Sequence, residues 1–494
     1  MYNSILNGNE LTFKSIEKKI YKYACDCACA MFSKILEEID KRLMNERDTK
    51  VYREKGMKHT CIKTIMGTVE IDRRIYEYRT EDGKRAYKYL LDEFLHMDTT
   101  GHMSENLVEN IVDNISEVSY RKTSSNVELM TNQHISHTAV WNVVQNVGAY
   151  IKEREKRKIE LNKQGRLNGK KEVKVLFQEQ DGIWLSMQGK DRPKKAKSRK
   201  RELKFGVSYE GWKRRDCCKK EEYTVVNKIA CAGFESSKEF KQLTDATIAE
   251  VYNTDEIQTR IINGDGASWI KASLGEEGVY YQLDPFHKSQ AVIRAVDDKK
   301  EAGKLIDMLS SGKVDDSLNM ITEMMIKNND DDKKLKKLET LYNYLVDNKE
   351  GLIPYQSRKG ILLPEPPKGL TYRHLGTMEH NICDILAQRM KGRKMSWSVS
   401  GAQNLAKILA EKVSHRIYDI LDEISGSVIT NEELNKIVEV TTLSAAKLNE
   451  KQPKSKVYPI PRGELPYTGN PLTPGRKAIR NIFNYITFNN MNYI

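Results

Sequence analysis

Ile262-Asn263-Gly264-Asp265-Gly266-Ala267-Ser268-Trp269, INGDGASW in one-letter code, decides how the middle of the chain folds. Asn-Gly and Asp-Gly are strong hairpin signals, because both tolerate positive φ in a tight turn. A hairpin also needs a second alternating strand. Here the turn runs instead into SWIKASLGEEG, with Trp269, Ile270 and Leu274 at helix-like spacing and Gly275 placed to end such a helix. The preceding QTRII is short, β-branched and bounded, as a buried parallel strand is. The stretch is therefore expected to join strand to helix. Open α/β sheets keep their ligands at the carboxyl ends of such strands, so Asp265 is a candidate for chemistry as well as a turn residue.

Upstream, VKVLFQEQDGIWLSMQG, RELKFGVSYEGW and EEYTVVNKIACAGF read as three successive strands. A helical SSKEFKQLTDATIAEVYN, the strand QTRII and a further short strand VYYQL come next. Three strands followed by alternating helix and strand is the order of a ribonuclease-H-like α/β fold, although several α/β folds share parts of it. Residues 170–290 are read as the first part of this core and 371–425 as its last part. Between them, 291–370 form a highly charged helical insertion that ends at LPEPPKGL, where regular structure breaks.

The N-terminal part is mainly helical. Residues 1–60 carry apolar side chains at three- and four-residue spacing, and CIKTIMGTVEIDRRIYEYR alternates as a small hairpin around Gly67. Within 61–165, a helix, the break TNQH and a second helix opening with Ser136, His137 and Thr138 have the order of a helix-turn-helix. The second helix of that motif offers its first residues to base edges. Residues 426–494 read as a C-terminal helix and a Pro/Gly-rich basic tail.

With 494 residues, 39% hydrophobic and 31% charged, and no apolar run long enough to span a bilayer, the composition is that of a soluble protein without a membrane partner. The N-terminus lacks the order of a signal peptide, and a cytoplasmic location is expected. The eight cysteines contain no CxxC pair. CDCAC places Cys25, Cys27 and Cys29 at i, i+2 spacing, which on a helix faces opposite ways, so helix packing is favoured over zinc. Net charge is +13, of which residues 190–204 supply +7 through nine Lys/Arg against two Asp/Glu. Lys190, Arg192, Lys194, Lys195, Lys197, Arg199, Lys200 and Arg201 are the candidate contacts to DNA phosphates. A P-loop is unsupported, because GRLNGKK has three residues between its glycines where four are needed and ends in Lys instead of Ser or Thr. Trp269 and Trp397 are expected to pack in the core.

A partner for Asp265 is Asp181 in FQEQDGIW, a mid-strand Asp followed by Gly in a run that continues instead of turning. Two divalent ions roughly 4 Å apart would explain such carboxylates, because hard Mg²⁺ prefers oxygen ligands. For a third acid there are two contenders. Asp284 precedes Pro285 in the arrangement of a helix N-cap, and Glu379 lies in the first turn of a helix that Thr377 would cap. On the residues alone the two stay level.

LFQEQDGIWLSMQGKDR, IINGDGASWIK followed by LDPFHKSQA, and GTMEHNICDILAQRMKGRKMSWSVSGAQNLAKI together resemble the ISLre-type insertion-sequence transposases, also grouped as uncharacterised protein family 0236. These are similar in layout to Mutator-type DDE transposases. The resemblance covers most of the chain, including LLDEFLHM. It implies that Asp181, Asp265 and Glu379, at intervals of 84 and 114 residues, are the catalytic and metal-binding acids for two Mg²⁺ ions, with Mn²⁺ as a substitute. Asp284-Pro285-Phe286-His287 matches the D-x-x-H signature of the wider group and places Asp284 and His287 near the site. The chain departs from many relatives in having Gly182-Ile183-Trp184 where they carry further acids, which leaves Glu179 a rival to Asp181. The implied activity is cleavage at the terminal inverted repeats and joining to target DNA, by a homo-oligomer on DNA at the nucleoid. A catalytically inactive DNA-binding repressor and a structure-selective nuclease are the competing readings.

Overall fold

The computed structural model describes residues 12–97, 102–193, 199–215, 221–376 and 386–425. Asp181, Asp265, Asp284, His287 and the opening of the second helix of the expected pair fall among them. Glu379, Lys194, Lys195, Lys197, Cys217, Cys218, Cys383 and the whole of 426–494 lie outside the described residues.

The chain begins with a single helix, α1 (Phe13–Glu46), started by a Thr12 and Ser15 capping box. Cys25 is buried and Cys27 exposed, on opposite sides of this helix. A three-stranded antiparallel sheet comes next, β1 (Arg53–Thr64), β2 (Gly67–Arg79) and β3 (Arg85–Lys88). Its first turn closes on Gly67 at φ +140°, a conformation that favours glycine. After the short α2 (Leu90–Phe94) come α3 (Glu105–Glu117), α4 (Tyr120–Met130) and α5 (His137–Lys163).

The helix pair α4 and α5 is present, with Ser136 capping α5 through the Ala139 N–H at 3.1 Å. Ser136, His137 and Thr138 are exposed. The body of α5 is buried through Val140, Val143, Val144, Val147 and Ile151, so this helix is also a wall of the central core.

That core is built on a mixed five-stranded sheet of β4 (Val175–Ser186), β5 (Lys200–Tyr209), β8 (Ile229–Gly233), β9 (Thr259–Gly264) and β10 (Val279–Leu283), in the order β10-β9-β4-β5-β8. β5 runs antiparallel to both β4 and β8, whereas β9 and β10 run parallel to β4. A small hairpin, β6 (Trp212–Arg214) and β7 (Tyr223–Val225), leads out of β5. The helix α6 (Ser237–Val251), opened by a Ser236 and Glu239 capping box, makes the crossover between β8 and β9.

Because strand side chains alternate, neighbouring residues feed opposite layers. Ile261 joins a cluster with α3, α5 and the later helices α12 (Val399–Val413) and α13 (Ile417–Ser425). Ile262 joins a second cluster with Phe240, Trp269 and the helices beyond β10. Burying each such side chain contributes about 1.5–3 kcal/mol, which explains why QTRII carries apolar residues on both faces. The helices beyond β10 are α7 (Pro285–Ala295), α8 (Lys299–Ser310), α9 (Val314–Lys327), α10 (Asp332–Asp347) and the short α11 (Lys349–Leu352). Trp269 and Trp397 are both buried.

Two devices tie distant segments to the sheet. Phe177 on β4 meets Tyr209, Trp212, Tyr355 and Tyr372 with ring centroids 5.1–5.8 Å apart, which fixes the proline-rich connection against the central strand. Lys407 of α12 is fully buried. Its ammonium bonds Glu155 of α5, Glu235 at 3.1 Å and the Ala232 carbonyl at 3.2 Å. Among the described residues no helix is long and apolar enough to cross a membrane.

The expected helix after Asp265 is not formed. SWIKASLGEEG makes only a 3₁₀ turn, Ile270–Ser273, because Gly275 at φ +97° reverses the chain before an α-helical ladder can be laid down.

Candidate active site

β4 and β9 run side by side with Glu179 opposite Asn263 at the end of their ladder. Two residues further along each strand stand Asp181 and Asp265, so the register alone brings the two acids to the same end of the sheet. Asp181 remains on β4, 8% exposed, with one oxygen accepting the Gly182 N–H at 2.6 Å. Asp265 leaves the end of β9 and accepts the Ala267 N–H at 2.9 Å, while its backbone carbonyl accepts the Tyr344 hydroxyl at 2.8 Å. Asp265 is therefore both a turn residue and a carboxylate held at a strand end.

His287, on the first turn of α7, places Nε2 3.4 Å from Asp181 Oδ2. That contact, reinforced by the charges of Asp181, Asp284 and Asp265, holds the imidazole above its ordinary pKa in spite of burial. Burial pushes the Asp265 carboxyl up, and the negative charges of Asp181 and Asp284 push in the same direction. The Ala267 N–H and His287 oppose this without prevailing.

Asp284 is 3% exposed and has both oxygens engaged. One accepts the N–H groups of Phe286 and His287 at 2.9 and 3.2 Å, and the other accepts Asn263 Nδ2 at 2.8 Å. With Pro285 as the first helical residue, Asp284 is the N-cap of α7 and fixes where that helix carries His287. Glu179 is fully buried and bonded to the Tyr209 hydroxyl, to Asn263 Nδ2 at 2.9 Å and to the Gly376 N–H at 3.3 Å. It braces the sheet and the Gly376 backbone, whereas Asp181 faces Asp265 and His287.

A residue that sequence reasoning missed is Glu202 on β5. A Cβ on Gly182 would lie 2.1 Å from Glu202 Oε1, so the glycine after Asp181 makes the space that Glu202 fills. Burial pushes the Glu202 carboxyl up. Lys204 and the Trp269 indole pull it back, and the charges of Asp265 and Asp181 push it further up, although the strand register sets Glu202 on the Gly182 face of the sheet, opposite the Asp181 side chain. The signal was present in DG at 181–182 and E in RELKF, but only the antiparallel register Gly182 to Lys204 puts Glu202 diagonally across.

Asp181 and Asp265 offer carboxylate oxygens, which suit a hard divalent cation. Among the described residues, no group of three or more His, Cys, Asp or Glu side chains is placed to hold a metal ion.

Of the basic residues, Lys190, Arg192, Arg199, Lys200 and Arg201 are among the described ones, all of them exposed. Asp191 between the first two accepts the Val399 N–H at 2.9 Å and so ties the loop to the start of α12.

The model of an uncharacterised protein family, UPF0236, matches residues 6–417. A UPF0236 protein of Caldanaerobacter subterraneus subsp. tengcongensis is 25% identical over 387 residues, covering 76% of this chain and 72% of its own length. The UPF0236 protein in the vanSb 3′ region of Streptococcus gallolyticus is 23% identical over 394 residues, covering 76% and 77%. Among solved structures, the Drosophila P element transposase strand transfer complex aligns with 69% of this chain and 85% of that one at 9% identity. Its TM-score is 0.22, too low to carry a fold argument.

Proposed function

The chain belongs to the uncharacterised protein family UPF0236, and we propose that it is the DDE transposase of a bacterial insertion sequence. It would bind the element ends and carry out Mg²⁺-dependent strand cleavage and strand transfer on a ribonuclease-H-like core. The observation that carries this reading is the pairing of β4 with β9, which sets Asp181 beside Asp265 with His287 on one of them. The order of three antiparallel strands with two parallel ones added on the side of the first supports the ribonuclease-H-like reading, with Asp181 on the first strand and Asp265 just past the end of the fourth. Multiplicity supports it as well. The name of the Caldanaerobacter relative carries eleven locus designations from one genome, as expected of a gene that moves and multiplies.

Glu379 is proposed as the third acid. The described residues before it end at Gly376, whose N–H is bonded to Glu179, two residues before Asp181 on the same face of β4.

Two Mg²⁺ ions, or Mn²⁺ in their place, would supply activation of the attacking oxygen and stabilisation of the leaving one. Asp181, Asp265 and Glu379 would hold them, with Glu202 alongside. His287 stands where it can donate a hydrogen bond to a phosphate oxygen, its position fixed by the Asp284 cap. Lys190 to Arg201, and the exposed start of α5 at Ser136, His137 and Thr138, would lie along DNA.

The test is a cleavage assay with the full chain, Mg²⁺ and DNA carrying the ends of its own element. Asp181→Asn and Asp265→Asn should each reduce strand cleavage by about 10³-fold or more while leaving the gel shift of the same DNA unchanged. Cleavage by either variant at the parent rate would refute the assignment. Cleavage of branched DNA regardless of element ends, with no joining, would make the protein a nuclease instead.

A further inference from the structure

Between α7 and α10 an open cleft of about 410 Å³ runs outward from Asp265 and His287. Its α7 wall carries Gln290 and Arg294, and its α10 wall carries Lys337, Thr340 and Tyr344. The Tyr344 ring is held in place, since its hydroxyl donates to the Asp265 carbonyl at 2.8 Å. Arg294 is exposed and bonded to Gln290 of its own helix, and Lys337 meets Asp297 at 3.1 Å in a pair that is half open to solvent. Such a pair is weak and is readily exchanged for a stronger anion.

We infer that this cleft receives one unpaired nucleotide of the DNA strand whose phosphate lies at Asp181 and Asp265. The nucleotide's own phosphate would face Arg294 and Lys337, and its base would rest on the Tyr344 ring. The inference rests on the transposase reading. The size of the cleft falls in the roughly 300–1,000 Å³ range of sites for small ligands and is too small for a duplex. Apart from Asp265 at its inner end, the lining residues include no acid, and two cations stand towards its mouth. Gln290 and Thr340 add polar atoms to a lining that also holds the Tyr344 ring; the Thr340 hydroxyl donates to the Lys336 carbonyl and keeps its oxygen as an acceptor, and the Gln290 amide keeps its NH₂ as a donor for a base. Holding a base out of the stack costs least when the strand is already unpaired, so frayed ends should bind best.

The experiment compares two duplexes of the same sequence, one blunt and one with a three-nucleotide single-stranded overhang containing 2-aminopurine. Both are titrated with the full chain in Ca²⁺. The parent should bind the overhang duplex about tenfold more tightly and change the 2-aminopurine emission on binding. Thr340→Trp, at an exposed position of α10, fills the cleft. It should bring both duplexes to equal affinity and abolish the emission change while leaving blunt-duplex affinity as it was. The double variant Arg294→Gln with Lys337→Gln should lower the overhang preference in the same way. If Thr340→Trp keeps the preference and the emission change, or loses blunt-duplex binding as well, the cleft is not the nucleotide site. If the parent binds neither duplex, the transposase reading itself fails.

Discussion

Gly182→Ala is the perturbation that reads the acid cluster most finely. The added methyl would lie 2.1 Å from Glu202 Oε1, 2.7 Å from its Cγ and 2.8 Å from its Cδ, so the Glu202 side chain must swing away. Those atoms are the far end of a flexible chain, and the displaced rotamer costs about 0.5–1.5 kcal/mol. Replacing glycine within a strand returns about 0.5–1 kcal/mol of backbone entropy. The two nearly cancel, so stability should change by less than about 1 kcal/mol, a melting shift of about 3 °C at most. The swing also moves the Glu202 charge, which Asp265 and Asp181 feel through space. In the proposed cation site, moving a neighbouring carboxylate should lower affinity by roughly 10- to 100-fold, and a Mn²⁺ titration followed by the electron paramagnetic resonance of the free ion would measure it. Glu202→Gln, which removes the charge without the steric push, should give a comparable loss. If Gly182→Ala and Glu202→Gln both hold Mn²⁺ as tightly as the parent, Glu202 has no part in the site and Gly182 is there for packing alone.

Three other outcomes are expected. Asp284→Asn keeps an N-cap acceptor and should leave strand cleavage within a few-fold of the parent, whereas Asp284→Ala should cost about 1–2 kcal/mol in urea denaturation; cleavage abolished by Asp284→Asn at unchanged stability would instead make this residue a metal ligand. Lys407→Ala strands Glu155 and Glu235 without their buried partner and should cost about 3–5 kcal/mol by the same measurement. Glu250 is held below its ordinary pKa: burial opposes this, but Lys158, Arg416 and Arg154, with contacts of 3.3, 2.6 and 3.0 Å, prevail. The folded state therefore binds this proton less readily than the unfolded chain does. The stabilisation is present above the unfolded value of about 4.3 and is lost as pH falls through the lower folded value, so Glu250→Gln should flatten the acid side of the stability curve.

The strands of the central sheet could be read from the sequence because their buried faces demand apolar runs, and Asp181 and Asp265 stood out against those runs. Glu202 did not, since only the register sets it diagonal to Gly182, and Glu179, a rival to Asp181 in the sequence, is told apart from it by its enclosure among Tyr209, Asn263 and Gly376. The Asp-Pro pair at 284–285 announced a helix cap, and the structure shows that cap while also placing His287 on Asp181. The segment after Asp265 had helical spacing, yet its turn at Ile270–Ser273 runs almost at once into Gly275 in the left-handed region, too soon to nucleate an α-helix. The buried face of α5 shows how a helix pair read from sequence as a DNA reader can also serve the core, because apolar periodicity does not say what the stripe packs against.

The central claim is that Asp181 and Asp265 grip a shared cation. Anomalous diffraction from crystals of the full chain soaked in Mn²⁺ tests it most directly. A peak lying between the two carboxylates, within coordinating distance of both and lost in Asp265→Asn, is the predicted result. Manganese bound elsewhere on the protein, with these two carboxylates bare at saturating concentration, would contradict it.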